Sequence, residues 1–120
     1  MSDLPQFKLN DYVRHMTQAI EQVAEYLEDV TEAQFLCTRL LQDGIVRNLE
    51  IIGEAAHLVI KKFPEFAATH TEVPWEAVYY MRNRVIHGYA SIDYELVWQV
   101  ANRELPQMHL HLKKLLADLQ

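Results

Sequence analysis

Apolar residues recur every three or four positions along most of the chain, which is the spacing of a helix buried on one side. The clearest stripe predicts a helix over about residues 11–29. Its members are Val13, Met16, Ile20, Val23 and Leu27. Strand-like alternation is hard to find, and the 120 residues include only 3 Gly and 4 Pro. The pattern therefore predicts an all-α protein.

Capping and breaking residues divide the following part of the chain into two helices and a loop. Thr31 and Gln34 have the spacing of a capping box, which predicts a short helix or helical turn after them. A longer helix is predicted over residues 38–62, and it ends before Pro64 because the residue preceding a proline is pushed out of the helical region. Residues 65–73 lack regular periodicity, so they are predicted to form a connecting loop.

The last third of the chain carries further helix signals. Pro74 begins a predicted helix, since proline fits the first turn, and Gly88 is predicted to end it. Ser91–Asp93 cap another helix, Pro106 is predicted to interrupt or kink it, and a final amphipathic helix covers residues 108–119. Residues 1–120 are thus predicted to form a single domain, an up-and-down bundle of four to five helices.

Two glycines, Gly44 and Gly53, lie inside the long predicted helix. Glycine in a helix interior costs about 1 kcal/mol relative to alanine. The usual return is the close approach of a neighbouring helix, which we expect here.

Charge and cysteine content narrow the classes of function. The chain has 17 acidic and 11 basic residues and a formal net charge of -6, which argues against a broad electrostatic contact with nucleic acid. A local cationic pocket is still compatible with that charge. The single cysteine, Cys37, excludes a disulfide within the chain and a cysteine-based zinc site, and we expect it to be an apolar core residue. No signal peptide and no membrane span are recognisable, so the sequence predicts a cytoplasmic protein.

The most reactive side chains are concentrated in one short run near residue 85. Arg82 and Arg84 are permanent cations with planar donor forks that suit phosphate oxygens. His87 can accept or donate a proton near neutral pH, and Asn83 and Tyr89 add further hydrogen-bonding groups. These groups suit cleavage of an RNA phosphodiester through its 2′-hydroxyl without a metal ion.

The spacing of these residues leaves their mutual arrangement open. On a continuous helix Arg82 and His87 lie about 140° apart around the axis, whereas Asn83 and His87 share a face. Convergence of Arg82 with His87 requires a helix that frays near Gly88, an arginine that reaches around the axis, or a second chain. The alternative is a solvated helix end whose charges suit the helix dipole.

The run Met81–Tyr89 contains the pattern R-x-x-x-x-H-x-Y and resembles the signature of HepT-like toxins in the HEPN superfamily. The flanking segments resemble the family as well. Leu49–Ala56 is similar to its long-helix segment, Val73–Trp75 precedes the signature, and Ile92–Asp93 with Val97–Trp98 follows it. The resemblance covers nearly the whole chain and shows no departure at the signature positions.

The resemblance implies a homodimeric, HEPN-like helical bundle in which the signatures of two chains face each other across the interface. It implies a metal-independent endoribonuclease without a cofactor, with Arg82 and His87 catalytic, Asn83 and Arg84 supporting, and Tyr89 a site of modification or RNA contact. It further implies the toxin of a toxin–antitoxin pair. The antitoxin would be a minimal nucleotidyltransferase of the MntA type, which in some systems adds AMP to the signature tyrosine.

Two other functions compete with the ribonuclease hypothesis. In the first, the chain is a non-catalytic helical partner of a nucleotidyltransferase, and the cationic cluster binds a nucleotide or substrate without turnover. In the second, the chain is a dimeric interaction protein and the cluster only stabilises helix ends. Tyr79 or Tyr80 is a candidate for stacking on an RNA base. Glu54 lies in a helix that is predicted to be largely buried, and we expect it to pair with an arginine.

Overall fold

The computed structural model describes residues 7–119 of the chain. Those residues form seven α-helices, one π-helical turn and a two-stranded hairpin, so the predicted all-α bundle is confirmed. In chain order the elements are α1 (Leu9–Tyr26), α2 (Glu32–Leu36), α3 (Arg39–Lys62), α4 (Pro64–Thr69), α5 (Trp75–Val85), β1 (Ile86–Gly88), β2 (Ser91–Ile92), α6 (Tyr94–Gln99), the π-helical turn (Val100–Glu104) and α7 (Leu105–Leu119).

The long helices pack side by side around one hydrophobic core. Helix α1 packs against both α3 and α7, and α3 packs against α5 on its other side. The predicted stripe of α1 faces this core, with Val13, Met16, Ile20 and Val23 all buried. The apolar spacing of the sequence therefore identified the buried face of α1 correctly, although α1 begins and ends two to three residues earlier than predicted.

Both glycines of α3 lie where a neighbouring element comes close. A Cβ atom on Gly53 would lie 3.3 Å from the backbone oxygen of Tyr79 in α5. A Cβ atom on Gly44 would lie 3.1 Å from a ring carbon of Tyr26, at the end of α1. The expected close approach is confirmed, and at Gly53 it sets the separation of the two helices that carry the site described below.

The assignments of a loop after Pro64 and of Cys37 to the core were wrong. Residues 65–69, which were assigned to a loop, form the short helix α4 together with Pro64, because proline takes the first helical position, where its missing N–H costs nothing. Cys37 is exposed instead of buried in the core, since it caps the short helix α2 at the protein surface.

The predicted interruption at Pro106 takes the form of the π-helical turn. In a regular helix the proline ring would collide with the carbonyl group of Asn102, four residues earlier. The backbone widens instead, and the N–H of Leu105 donates to the oxygen of Val100, five residues earlier. The chain therefore continues from α6 through this turn into α7 without a break in the helical backbone.

Candidate functional site

The signature residues lie at the end of α5 and on the hairpin that follows it. Arg82, Asn83 and Arg84 occupy the last turn of α5, His87 lies in β1, and Tyr89 lies in the turn between the two strands. The prediction that this helix continues to Gly88 was wrong. Consequently, Asn83 and His87 do not share a helical face.

The helix ends at Val85 because two β-branched residues pair across the hairpin. Ile86 is the backbone partner of Ile92, and both side chains pack against the core. The N–H of Asp93 donates to the oxygen of Val85 at 2.8 Å, which satisfies one of the carbonyl groups left open at the helix end. This short antiparallel pair fixes the direction in which the chain carries His87 away from α5.

Arg82 is about half exposed and holds only long contacts. Its Nε lies 3.9 Å from Oε2 of Glu50 on α3, and its Nη1 donates to Oδ1 of Asn83 at 3.4 Å. Ion pairs of this length at a surface contribute little. The guanidinium group therefore keeps most of its capacity for hydrogen bonds with a phosphate group.

Arg84 is held much more firmly than Arg82. Two of its nitrogens donate to the two carboxylate oxygens of Glu104 at 2.9 and 3.1 Å, which joins α5 to the π-helical turn. The hydrogen bonds with Glu104 raise the pKa of Arg84 above its usual value. The charge of Arg84 is thus balanced within the chain, whereas the charge of Arg82 is only weakly compensated.

His87 and Tyr89 extend into solvent on the hairpin. Tyr89 is 104% exposed relative to a reference side chain, and His87 is exposed as well. Within residues 7–119, no hydrogen bond or ion pair joins His87 to Arg82. The structure brings Arg82 and Asn83 together, ties Arg84 to Glu104, and leaves His87 and Tyr89 free to meet another molecule.

A cleft of about 260 Å³ lies next to Arg82, between α3 and α5. Its lining residues are Arg47, Glu50, Gly53, Glu54, Tyr79 and Arg82. Sequence reasoning missed Arg47 and Glu50, and it expected Glu54, in a helix predicted to be largely buried, to pair with an arginine. In the structure Glu54 is exposed, and Glu50 is the carboxylate near Arg82. Helical spacing places residues 47, 50 and 54 on one side of α3, but spacing alone does not show that this side meets Arg82.

Three aromatic rings form a row centred on Tyr79, one of the residues that line this cleft. The Tyr79 ring stacks on His57 with centroids 4.2 Å apart and planes at 22°, and it contacts Tyr80 with centroids 4.8 Å apart. Tyr80 is 55% exposed. The row holds Tyr79 in place and leaves part of the Tyr80 ring open to solvent.

Between Phe7 and Leu119, no three His, Cys, Asp or Glu side chains are grouped as metal ligands would be. Over the same residues, no helix is both long and apolar enough to cross a membrane.

A family model described as "Ribonuclease HepT-like" matches residues 16–115, a range that includes the whole cluster and the cleft beside it. This chain belongs to the HepT-like ribonuclease family. The fold and the order of the signature residues agree with the resemblance noted in the sequence. No solved structure matches the chain significantly.

Three curated relatives carry ribonuclease names. The chain is 33% identical to a "Probable ribonuclease HepT" of Thermococcus cleftensis, over 88% of this chain and 93% of that protein. It is 33% identical to a "Putative RNase" of Caldanaerobacter subterraneus, over 88% of this chain and 91% of that protein. It is 35% identical to a "Gamma-glutamylcyclotransferase and putative RNase" of Methanocaldococcus jannaschii, over 90% of this chain but only 47% of that longer protein.

Proposed function

We propose that this protein is a metal-independent endoribonuclease whose active site combines Arg82 and His87. The observation that carries the proposal is that a weakly compensated Arg82 lies in the last turn of α5 and an exposed His87 lies two residues beyond the end of the same helix. Family membership and the ribonuclease names of the relatives support it.

The reaction requires one group that accepts a proton and one that donates a proton. A neutral imidazole takes the proton of the RNA 2′-hydroxyl, whose oxygen then forms a bond to the adjacent phosphorus. The bond from phosphorus to the 5′-oxygen breaks, and an imidazolium protonates that leaving oxygen. The products are a 2′,3′-cyclic phosphate and a free 5′-hydroxyl, and Arg82 stabilises the extra negative charge of the phosphorane.

We further propose that two chains share this work in a homodimer. Each chain has one histidine in the cluster, His87, whereas the mechanism uses a base and an acid. Two clusters facing each other would bring both histidines, and two copies of Arg82, to one RNA strand. Such a local concentration of cations suits a short, accessible RNA segment and is compatible with the acidic net charge of the chain.

We also propose that the protein is the toxin of a toxin–antitoxin pair that is neutralised by a minimal nucleotidyltransferase of the MntA type. Tyr89 is the proposed acceptor of AMP. Its full exposure on a hairpin turn supports this role, because a second enzyme must reach the hydroxyl group. A bulky, negatively charged AMP group two residues from His87 would block RNA by repulsion between phosphates.

The test is cleavage of an unstructured RNA in EDTA by the wild type, Arg82→Ala and His87→Ala. Arg103→Ala and His111→Ala serve as matched controls, since both residues are exposed and lie outside the cluster. We expect cleavage to be lost in the first two variants, to persist in the controls, and to leave 2′,3′-cyclic phosphate ends. Cleavage by His87→Ala at the wild-type rate would refute the assignment. Nucleotide binding that needs Arg82 but not His87, without cleavage, would favour the non-catalytic binding partner.

A dilution experiment tests the shared site directly. Wild-type chains are unfolded and refolded together with increasing amounts of His87→Ala chains. If both histidines act in one site, activity falls with the square of the wild-type fraction, because only dimers of two wild-type chains are active. A linear fall would show that each chain works alone.

A further inference from the structure

We propose that the cleft between α3 and α5 binds a guanine base of the RNA substrate. The inference rests on the proposed ribonuclease function, for which it names the nucleotide held next to the cleaved phosphate. Its basis is the mixture of charges around a cleft that opens directly beside Arg82.

The charged residues that line the cleft indicate which part of a nucleotide would enter it. Arg82 lines the cleft and attracts a phosphate group. The other charged residues that line it, Glu50, Glu54 and Arg47, carry a net negative charge together and would not favour a second phosphate inside it. The part of a nucleotide that carries no negative charge is the base. A phosphate held by Arg82 would therefore leave the attached base as the group that fills the cleft.

The carboxylates also select which base fits. A carboxylate only accepts hydrogen bonds, so the base must donate them. Guanine has two adjacent N–H donors, on N1 and N2, which match the two oxygens of one carboxylate. On adenine and cytosine the amino group lies beside a ring nitrogen that accepts hydrogen bonds. The single N–H of uracil lies between two carbonyl oxygens. All three bases would therefore place an acceptor against the second oxygen of the carboxylate.

Glu54 is the carboxylate assigned to this contact. Glu50 already lies 3.9 Å from Arg82, whereas Glu54 is exposed and makes no ion pair with another described residue. Arg47 lines the same cleft and has the donor fork that proteins use for O6 and N7 of guanine. The cleft thus offers partners for two edges of the same base.

The dimensions and walls of the cleft suit a single base. Its volume of about 260 Å³ lies just below the range of about 300–1,000 Å³ that is typical of pockets for larger ligands. Tyr79 lines the cleft, and its ring is stacked on His57 with centroids 4.2 Å apart, which restrains that side chain. Gly53 adds no side chain that would fill the space.

The test measures binding of RNA that cannot be cleaved. The probes are 2′-O-methyl pentanucleotides with four uridines around a central guanosine, inosine or adenosine, since the methyl group blocks attack by the 2′-oxygen and inosine lacks only the N2 amino group of guanosine. Isothermal titration calorimetry compares the wild type with Glu54→Gln. Glu25→Gln, which removes the same charge from an exposed position at the end of α1, is the matched control.

We expect the wild type and the Glu25→Gln control to bind the guanosine probe about tenfold more tightly than the inosine or adenosine probe. We expect Glu54→Gln to lose that preference while keeping the melting temperature of the wild type. Equal binding of all three probes, or a guanosine preference that survives in Glu54→Gln, would overturn the proposal. RNA cleavage without any preference for guanine would overturn the guanine site but not the proposed ribonuclease function. Guanosine-selective binding without cleavage would support the guanine site and contradict the proposed ribonuclease function.

Discussion

The ion pair between Arg84 and Glu104 bears on whether Arg84 contacts RNA or only stabilises the folded protein. The two side chains are 45% and 43% exposed, so most of their Coulomb attraction is screened by water. Because the two side chains meet through two hydrogen bonds, the contribution of the pair to stability lies at the upper end of the range for surface ion pairs. We expect Arg84→Gln and Glu104→Gln each to lower the free energy of unfolding by about 0.5–1 kcal/mol. For a domain of this size, such a change lowers the melting temperature by about 2–5 °C.

The pH dependence of this contribution has a definite sign. Glu104 raises the pKa of Arg84, a group that is already charged at any neutral pH. A cation with a raised pKa in the folded state stabilises that state below its unfolded pKa and loses the contribution only as the pH rises through the folded value. The stabilising effect of this pKa shift is therefore constant across neutral pH, and on the alkaline side it is lost in strong alkali.

Measurements of RNA affinity distinguish a stabilising role of Arg84 from a phosphate contact, because the two roles predict different effects of Arg84→Gln and Glu104→Gln. If Arg84 serves the fold, Arg84→Gln and Glu104→Gln have the same small effect on RNA affinity, and the double variant adds nothing further. The logarithmic salt slope of binding then stays unchanged. If Arg84 contacts a phosphate, Arg84→Gln reduces that slope by about 0.7 for a single strand, and Glu104→Gln strengthens binding because it releases the arginine.

We expect the first pattern, since both carboxylate oxygens of Glu104 are engaged by Arg84. The assay is fluorescence anisotropy of a labelled RNA at several salt concentrations, with urea unfolding of each variant in parallel. Tighter RNA binding by Glu104→Gln would refute our interpretation and make Arg84 part of the RNA site.

Three further predictions concern the stability of the fold and the binding of RNA. Gly44→Ala should be more stable than Gly53→Ala by about 1 kcal/mol in urea unfolding. The exposed ring of Tyr26 can move away from a methyl group at position 44, whereas the backbone oxygen of Tyr79, 3.3 Å from a Cβ at position 53, cannot. Equal stabilities of the two variants would contradict this. Tyr80→Leu should weaken RNA binding about fivefold in anisotropy assays, and Tyr80→Phe should not, if this 55% exposed ring stacks on a base; weakening by Tyr80→Phe would point to the hydroxyl group instead. A backbone hydrogen bond from Lys8, followed by Arg14, lowers the pKa of Asp11, so its stabilising contribution is full near neutral pH and lost as the pH falls through the folded value. Asp11→Asn should accordingly lower the melting temperature at neutral pH and have no effect in strong acid, and a loss that is the same at both pH values would exclude this cause.

The sequence predicted the buried faces of the helices well because those faces follow from spacing alone. The stripe from Val13 to Val23 needs only the period of a helix, and all four of its apolar members there are buried. The end of α5 was predicted three residues too late because Gly88 is a strong local stop signal, whereas the actual end depends on the pairing of Ile86 with Ile92 across a turn. Local propensity contains no information about such a partner.

The composition of the candidate site was only partly predictable for the same reason. Arg82 and His87 were recognisable because they lie in one short run of sequence. Glu50 and Arg47 lie more than thirty residues earlier, and their place beside Arg82 depends on how closely α3 approaches α5 at Gly53. The residues that line this cleft therefore required the tertiary structure.

The π-helical turn lets the chain between Val100 and Glu104 hold one residue more than a regular α-helix while the helices on either side keep their facing. Its hydrogen bonds span five residues instead of four, so deleting one residue there would give a regular α-helical turn and leave the orientation of α7 nearly unchanged. Val97 before the turn and Leu112 after it, both completely buried, would then stay in the core. The same deletion would bring the ring of Pro106 against the backbone of a regular helix. We therefore expect related chains that lack one residue in this segment to lack the proline as well.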